Sequence, residues 1–260
     1  MTNRTVSSLI NKDSILAMSE MEEESIDLII SDPPFGIDHF KENTSYNRNG
    51  KLVLSSYVEV ENDVYDAFSD KWIEQAARIL APKGSMYVVS GWSNLEDVLR
   101  ALRQNNLHTI NHIIWEYPFG VYTKRKYVSS HYHILFVGKS RAHRTFNREC
   151  YFGDKEKGVD NHNLNYMDRA DVWYIKRENW TGRVKTQNKL PRYLIEKMVS
   201  YSSSPGDLVL DPFMGSGQVP FVAKTFARRY IGIEISTQIY NFAKYRINSN
   251  DYYGDQYEGE

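Results

Sequence analysis

The sequence predicts an α/β fold, a mostly parallel sheet with helices on both faces. Short apolar runs alternate with segments whose apolar residues recur at helical spacing, the pattern of strands joined by crossover helices. Two of the apolar runs also end in proline-bearing loops, Asp32-Pro33-Pro34-Phe35 and Asp211-Pro212-Phe213-Met214-Gly215-Ser216-Gly217. In open α/β sheets, ligands collect where the strands end.

Asp13 to Met21 reads as a helix with Ile15, Leu16 and Met18 on one side. Ile26 to Ile30 is a short buried strand that ends at Ser31. Gly36 to Asp63 carries Asn, Ser, Gly and Tyr with little periodicity, so it reads as a long loop of the functional kind. Trp72, Ile73, Ala76, Ile79 and Leu80 mark a helix from about Asp66 to Leu80, stopped by Ala81-Pro82-Lys83-Gly84. Ser85 to Ser90 is a strand, and Ser93 to Gln104 is a helix capped by Ser93 or Asn94. His108 to Trp115 and His133 to Val137 are strands. Lys139 to Lys189 breaks the rhythm, with one strand-like piece at Val172 to Ile175, and reads as an inserted module or arm. The alternation then returns. Leu190 to Tyr201 is a helix, Leu208 to Leu210 a strand, Val219 to Arg228 a helix, Tyr230 to Ile235 a strand and Thr237 to Ile247 a helix. The acidic, Tyr- and Gly-rich tail from Asp251 is expected to be loose. Residues 1–260 are read as one domain.

Composition narrows the function. Apolar residues make up 41% and charged residues 25%, an ordinary globular balance. The net charge of -1 gives no global field for nucleic acid, so such a partner needs local positive patches. Nineteen Tyr, eleven Phe and five Trp suit either an aromatic core or a surface that stacks flat ligands. The single Cys150 excludes an internal disulfide and a multi-cysteine metal site, and no metal centre is expected. No apolar stretch is long enough for a membrane span. Met1 to Arg4 is not followed by an apolar signal region, so a cytoplasmic setting is expected.

The two loops carry the chemistry. Pro33 and Pro34 fix two backbone angles and remove two donors, leaving carbonyls to face a ligand amine. Asp32 adds a carboxylate acceptor and Phe35 a flat face. A carboxylate and a carbonyl together can hold both N–H bonds of a ring amine. On its own, Asp-Pro-Pro is also a rigid turn. Gly215 and Gly217 allow close backbone geometry beside a ligand. Glu234, about twenty residues further on at the end of the next strand, is placed to accept ribose hydroxyls. The bland reading of the glycines is a turn, and of Glu234 a surface acid. No Lys-Ser/Thr pair follows Gly217, which excludes a Walker motif.

These residues resemble the beta group of the amino-methylating DNA methyltransferases, in which the catalytic motif comes first and the cofactor motif last. The likeness runs from about Asn11 to Asn248. It implies a Rossmann-like methyltransferase fold with a twisted, seven-stranded, largely parallel sheet and one antiparallel strand. It implies S-adenosyl-L-methionine as cofactor and adenine N6, or alternatively cytosine N4, as target. The acid at position 32 tilts the choice toward adenine. By resemblance, Asp32, Pro33, Pro34 and Phe35 clamp the target base. Asp13, Asp32, Gln187, Asp211, Phe213, Gly215, Ser216, Gly217, Glu234 and Ile235 surround the cofactor. Asn188 and Leu190 loosen the usual spacing around Gln187, and Gln218 stands where Thr is common.

Double-stranded DNA is the implied partner. A second copy of the chain and a cognate restriction endonuclease are further partners that the resemblance suggests, in a prokaryote or phage-infected cell. Lys124 to Arg148 contains no acid and carries Lys124, Arg125, Lys126, Lys139, Arg141, Arg144 and Arg148 among aromatics. Lys176, Arg177 and Arg183 lie in a second basic group near Trp173, Tyr174 and Trp180. Cations among aromatics suit phosphate contact and base stacking, whereas any one of them alone is an ordinary solvated residue. The first run is expected to act as one electrostatic groove. The target amine is unreachable inside a duplex, so the base must flip out. Residues 36–63 are expected to close on it, and 139–189 to read the site. Rival readings are a methyltransferase for RNA or a protein amide, and a DNA-binding module without activity.

Overall fold

The computed structural model describes residues 7–35, 60–118, 124–147, 169–178 and 189–257. The alternation appears as expected. Strands β1 (Ser8–Asn11), β2 (Ile26–Ser31), β3 (Leu80–Ser90), β4 (His108–Glu116), β5 (His131–Gly138), β6 (Val172–Tyr174), β7 (Leu208–Asp211) and β8 (Arg229–Glu234) form one sheet. Helices α1 (Ser14–Ser19), α2 (Tyr65–Ile79), α3 (Leu95–Gln104), α4 (Arg192–Ser202), α5 (Gln218–Thr225) and α6 (Thr237–Ser249) flank it.

The strand order is β1-β8-β7-β2-β3-β5-β4-β6. The sheet is parallel except for β5, which pairs antiparallel with both β3 and β4. Among the described residues there are eight strands rather than seven. β1 has no signature in the sequence because Ser8-Leu9-Ile10-Asn11 is too short to show a period. β6 reads only as a strand-like piece because just Val172 to Tyr174 pair, against Ile114 to Glu116.

Side chains on successive strand residues point to opposite faces, and each face gathers its own core. Ile29, Met86, Val88, Leu135 and Val137 pack with α1, α2 and α3. Leu28, Ile30, Tyr87, Val89, Ile134 and Phe136 pack with α4 and α5. Helix spacing agrees: Tyr65, Ser69, Trp72, Ile73, Ala76 and Ile79 of α2 are buried, as are Leu194, Ile195, Met198 and Val199 of α4.

One feature of this topology positions the site. From β2 the chain moves outward through α2 to β3, and from β7 it moves the other way through α5 to β8, on the opposite face. Such a reversal opens a crevice at the carboxyl ends of the two central strands. Those ends are Ser31, which leads into Asp32, and Asp211.

The tail is not loose up to Tyr257. Arg246 donates to the Tyr252 carbonyl, Tyr252 Oη donates to Glu178 at 2.7 Å, and the Tyr257 ring lies 5.2 Å from Phe242. Composition misled here because the tail's aromatic rings pack on the helices and Asp251 holds the turn, accepting from Gly254 N at 2.8 Å. Among the described residues, no helix is long and apolar enough to cross a membrane.

Candidate active site

A cleft of about 230 Å³ sits at the carboxyl edge of β1, β8, β7 and β2. Lys12, Asp13, Asp32, Pro34, Glu234 and Ile235 line it, with Phe213, Gly215 and Ile239. The structure therefore brings Asp32 and Pro34 of the first loop together with Phe213, Gly215 and Glu234 of the second half of the chain, across about 180 residues of sequence.

Glu234 ends β8, and both of its oxygens hold backbone. Oε2 accepts from Gly215 N at 3.1 Å and Oε1 from Ser236 N at 2.8 Å. Each oxygen has a further lone pair, so the carboxylate can still accept two hydroxyls. Burial pushes the Glu234 carboxyl up, and the amide bonds partly offset this. Gly215 has φ +49° and a Cβ there would meet nothing within 4 Å. Glycine is needed for the left-handed turn, and the turn aims its N–H at the acid.

Asp211 is 5% exposed and accepts from Phe213 N at 3.1 Å. Burial pushes its carboxyl well above the usual range, and the neighbouring carboxylates of Asp32 and Glu234 add to this. Asp13, Asp32 and Glu234 line the cleft with Asp211 close behind, an acidic setting that suits a cationic ligand. Asp13 caps α1, its Oδ1 accepting from Leu16 N at 2.9 Å, and the same residue faces the cleft. Phe213 forms an apolar wall, braced edge-on by Trp72 at 5.6 Å and by Phe68 at 5.9 Å.

Some residues of the cofactor motif stand behind the cleft. Asp211 is among them, since it does not line the space. The buried Ser216 turns its carbonyl to Arg246. Gly217, at φ +81°, would place a Cβ 2.9 Å from Ile247 and 3.1 Å from Ala243, so it is small to admit α6. Gln187, Arg148 and Arg183 lie outside the described residues. Phe35 does not line this space; it stands beside it and packs on Tyr132, with ring centroids 5.7 Å apart. Lys12, Ser14, Phe68 and Ile239 also line the space, and sequence reasoning misses them. Lys12 and Ser14 flank Asp13 and could have been found by that adjacency; Phe68 and Ile239 sit on helices where nothing local marks them.

The basic residues separate. β5 runs against its neighbours, so the stretch from Lys124 to Arg144 crosses the sheet from one edge to the other. Lys124, Arg125 and Lys126 precede β5 on the cleft edge, where β4 and β6 also end, and Lys176 and Arg177 follow β6 there. Lys139, Arg141 and Arg144 follow β5 on the far edge. Lys139 pairs with Glu24 at 3.3 Å, Arg144 Nη1 donates to Arg141 O, and Arg144 lies over the Phe136 ring. The expected single groove is corrected accordingly: an antiparallel strand cannot keep both of its ends on one side. Trp92, 80% exposed, and Tyr127, 98% exposed, stand on the cleft edge; Tyr127 is one of the aromatics of the first basic run, whereas nothing in the sequence singles out Trp92.

Glu234→Ala is expected to weaken S-adenosylmethionine binding about ten- to hundredfold, the worth of a charged hydrogen-bond pair of roughly 1.5–3 kcal/mol. Because burial pushes its carboxyl up, affinity should be fullest with Glu234 ionised and should fall as pH drops through that raised value, above the ordinary glutamate range. Calorimetry across pH on the wild type and Glu234→Gln checks this, and the variant should lose the pH dependence.

Known proteins agree with the geometry. A family model described as DNA methylase, of the N6/N4 type, matches residues 26–245. The type II methyltransferase M.HpaI of Haemophilus parainfluenzae is 31% identical over 244 residues, covering 93% of this chain and 74% of that protein. Among solved structures, the cytosine-N4-specific PvuII DNA methyltransferase aligns with a TM-score of 0.72 at 18% identity, covering 97% of this chain and 90% of that one. M1.HpyAVI bound to S-adenosylmethionine aligns at 0.63 and 22%, covering 92% and 98%. The ordered motifs, the carboxyl-edge cleft and the family match converge: this chain belongs to the amino-methylating DNA methyltransferases of the beta group, enzymes that depend on S-adenosylmethionine.

Proposed function

We propose that the enzyme methylates the N6 amino group of adenine in a short duplex DNA site, after the base has rotated out of the helix. The observation that carries this reading is that Asp32 and Pro34 share one cleft with Gly215 and Glu234. The cleft fits the cofactor. Its acids suit a sulfonium and an ammonium group, Glu234 suits a ribose, and Phe213, Ile235 and Ile239 suit an adenine ring. Asp13 caps α1, faces the cleft and offers an acceptor for a ring amine. When bound, S-adenosylmethionine supplies an electrophilic methyl group.

The chain's own residues do the positioning. The Asp32 carboxylate accepts one N–H of the target amine, and a carbonyl of the proline pair accepts the other. Neither proline has an N–H, so the segment presents acceptors alone. The nitrogen lone pair is thereby aimed along the line of transfer, and orientation of this sort supplies much of the rate. In this reading residues 36–63 close over the base, and 139–189 read the sequence. A second copy of the chain or a restriction endonuclease would act beside it in the cytoplasm of a prokaryotic cell.

Digestion of methylated DNA to nucleosides, followed by mass spectrometry, tests the reading. N6-methyladenine is the expected product. N4-methylcytosine would replace the proposed base and keep the rest of the site. Methyl groups in RNA or protein with none in DNA would overturn it.

The split of the basic residues gives a second expectation. DNA affinity should fall steeply with salt. Lys124→Ala, Lys126→Ala and Lys176→Ala together should flatten the logarithmic salt slope, by about 0.9 for each phosphate that is no longer neutralised. Arg141→Ala with Arg144→Ala should leave the slope as it is, because both stand on the far edge. Titrations at several salt concentrations separate the two sets.

A further inference from the structure

The aromatic of the catalytic motif is braced from a second direction. Phe35 is half-buried against Tyr132 of β5 at 5.7 Å between centroids, tilted by 39°. Tyr132 rests in turn on Trp115 at 5.6 Å and on Tyr117 at 5.5 Å. Arg177 covers this stack. Its guanidinium carbon lies 4.4 Å from the Tyr117 ring centroid and 5.5 Å from that of Tyr132, and Nη2 donates to Tyr132 Oη at 3.1 Å.

The backbone that presents Arg177 is fixed as well. Trp115 Nε1 donates to Ile175 O at 2.8 Å, and Ile175 N donates to Glu116 O at 3.1 Å. A continuous line of contacts therefore runs from an exposed cation on the cleft edge to the ring beside Asp32.

We propose that Tyr132 and Arg177 are positioning residues for methyl transfer. Arg177 clamps the Tyr132 ring, and Tyr132 fixes the plane that Phe35 offers to the target base. The inference rests on the reading that a DNA base is methylated beside Asp32. Its physical basis is that tilted and offset ring pairs have preferred geometries, and a guanidinium stacked on a ring restricts that geometry further. A reacting base held against a loose ring would sample misaligned poses, and small misplacements cost rate rather than ground-state binding. Arg177 also carries a charge suited to a phosphate, so its loss has two separable consequences.

The test measures kcat, KM for a methylatable duplex and S-adenosylmethionine affinity in five variants: Tyr132→Phe, Tyr132→Leu, Arg177→Lys, Arg177→Met, and Tyr132→Leu combined with Arg177→Met. Tyr132→Leu should lower kcat about tenfold with unchanged cofactor affinity, the upper end of an aromatic pair's worth. Tyr132→Phe keeps the ring and should recover most of kcat. Arg177→Met should lower kcat and raise KM. Arg177→Lys should restore KM but not kcat, because an ammonium keeps the charge and lacks the planar fork. In the Tyr132→Leu background, Arg177→Met should change KM alone.

An unchanged kcat in Tyr132→Leu, multiplicative kcat losses in the double variant, or cofactor affinity falling in step with kcat would each overturn the role. Arg177 is exposed, so Arg177→Met and Arg177→Lys decide the matter if Tyr132→Leu does not fold. Wild-type enzyme that methylates no DNA would overturn the underlying reading and this role with it. Wild-type transfer with unaffected variants overturns the role alone.

Discussion

Asp32→Ala is expected to abolish methyl transfer while S-adenosylmethionine still binds. Asp32 follows directly on β2 at the crevice between β2 and β7, and it faces the same space as Glu234. Its proposed partner is the target amine, whereas Glu234 and Gly215 are proposed to carry the adenosine end. Removing the carboxylate takes away both an acceptor and the charge that steadies the amine as it becomes cationic. Electrostatic groups so placed are commonly worth about two to three orders of magnitude in rate. The variant also relieves Asp211 of one neighbouring negative charge, which should leave the fold intact. Tritium transfer to DNA and calorimetry with the cofactor read the two effects separately. Activity within about tenfold of wild type would remove Asp32 from the reaction. Asp32→Asn keeps the shape and one acceptor oxygen, so it should lie between the two.

What the sequence revealed follows from where the physics is local. β2, β7 and β8 are short apolar runs ending in an acid or a proline, and period and punctuation suffice to place them. The cleft's two chemical ends were legible for the same reason. Gly217 was legible as a glycine that matters, but not for its reason: only the packing of Ile247 and Ala243 shows that it serves α6. The basic run shows the opposite limit. Charge along a sequence says nothing of direction, and the antiparallel setting of β5 is fixed by pairing with β3 and β4, far away in the chain. Phe68 and Ile239 reach the cleft through helix packing, which leaves no local signature. Tyr132 reads as one of the aromatics of the basic run, just ahead of the strand expected from His133, and only its contact with Phe35 ties it to the catalytic motif.

Arg246→Met is expected to be the most destabilising single change in the cofactor half. The guanidinium is fully buried, and burial lowers its pKa to about 10, so it remains charged at neutral pH. It donates to Ser216 O, to Gln218 Oε1 at 2.7 Å and to Tyr252 O at 2.6 Å. Three segments meet on this one side chain: the glycine loop, the first turn of α5 and the tail. Methionine fills much of the volume and bonds none of the acceptors. Each buried acceptor left unmet costs about 1–3 kcal/mol, which gives roughly 3 kcal/mol or more in total. The relief of desolvating a charge offsets part of this, but its partners are neutral carbonyls that no replacement donor reaches. Because Ser216 lies between Gly215 and Gly217, loosening it also frees the N–H that Glu234 accepts. Cofactor affinity should therefore fall along with the melting temperature, although Arg246 does not line the cleft. Arg246→Lys retains a charged donor and should recover part of the stability. Thermal melts with and without S-adenosylmethionine check both effects. A variant that melts with the wild type would show that the tail, not the arginine, holds the loop.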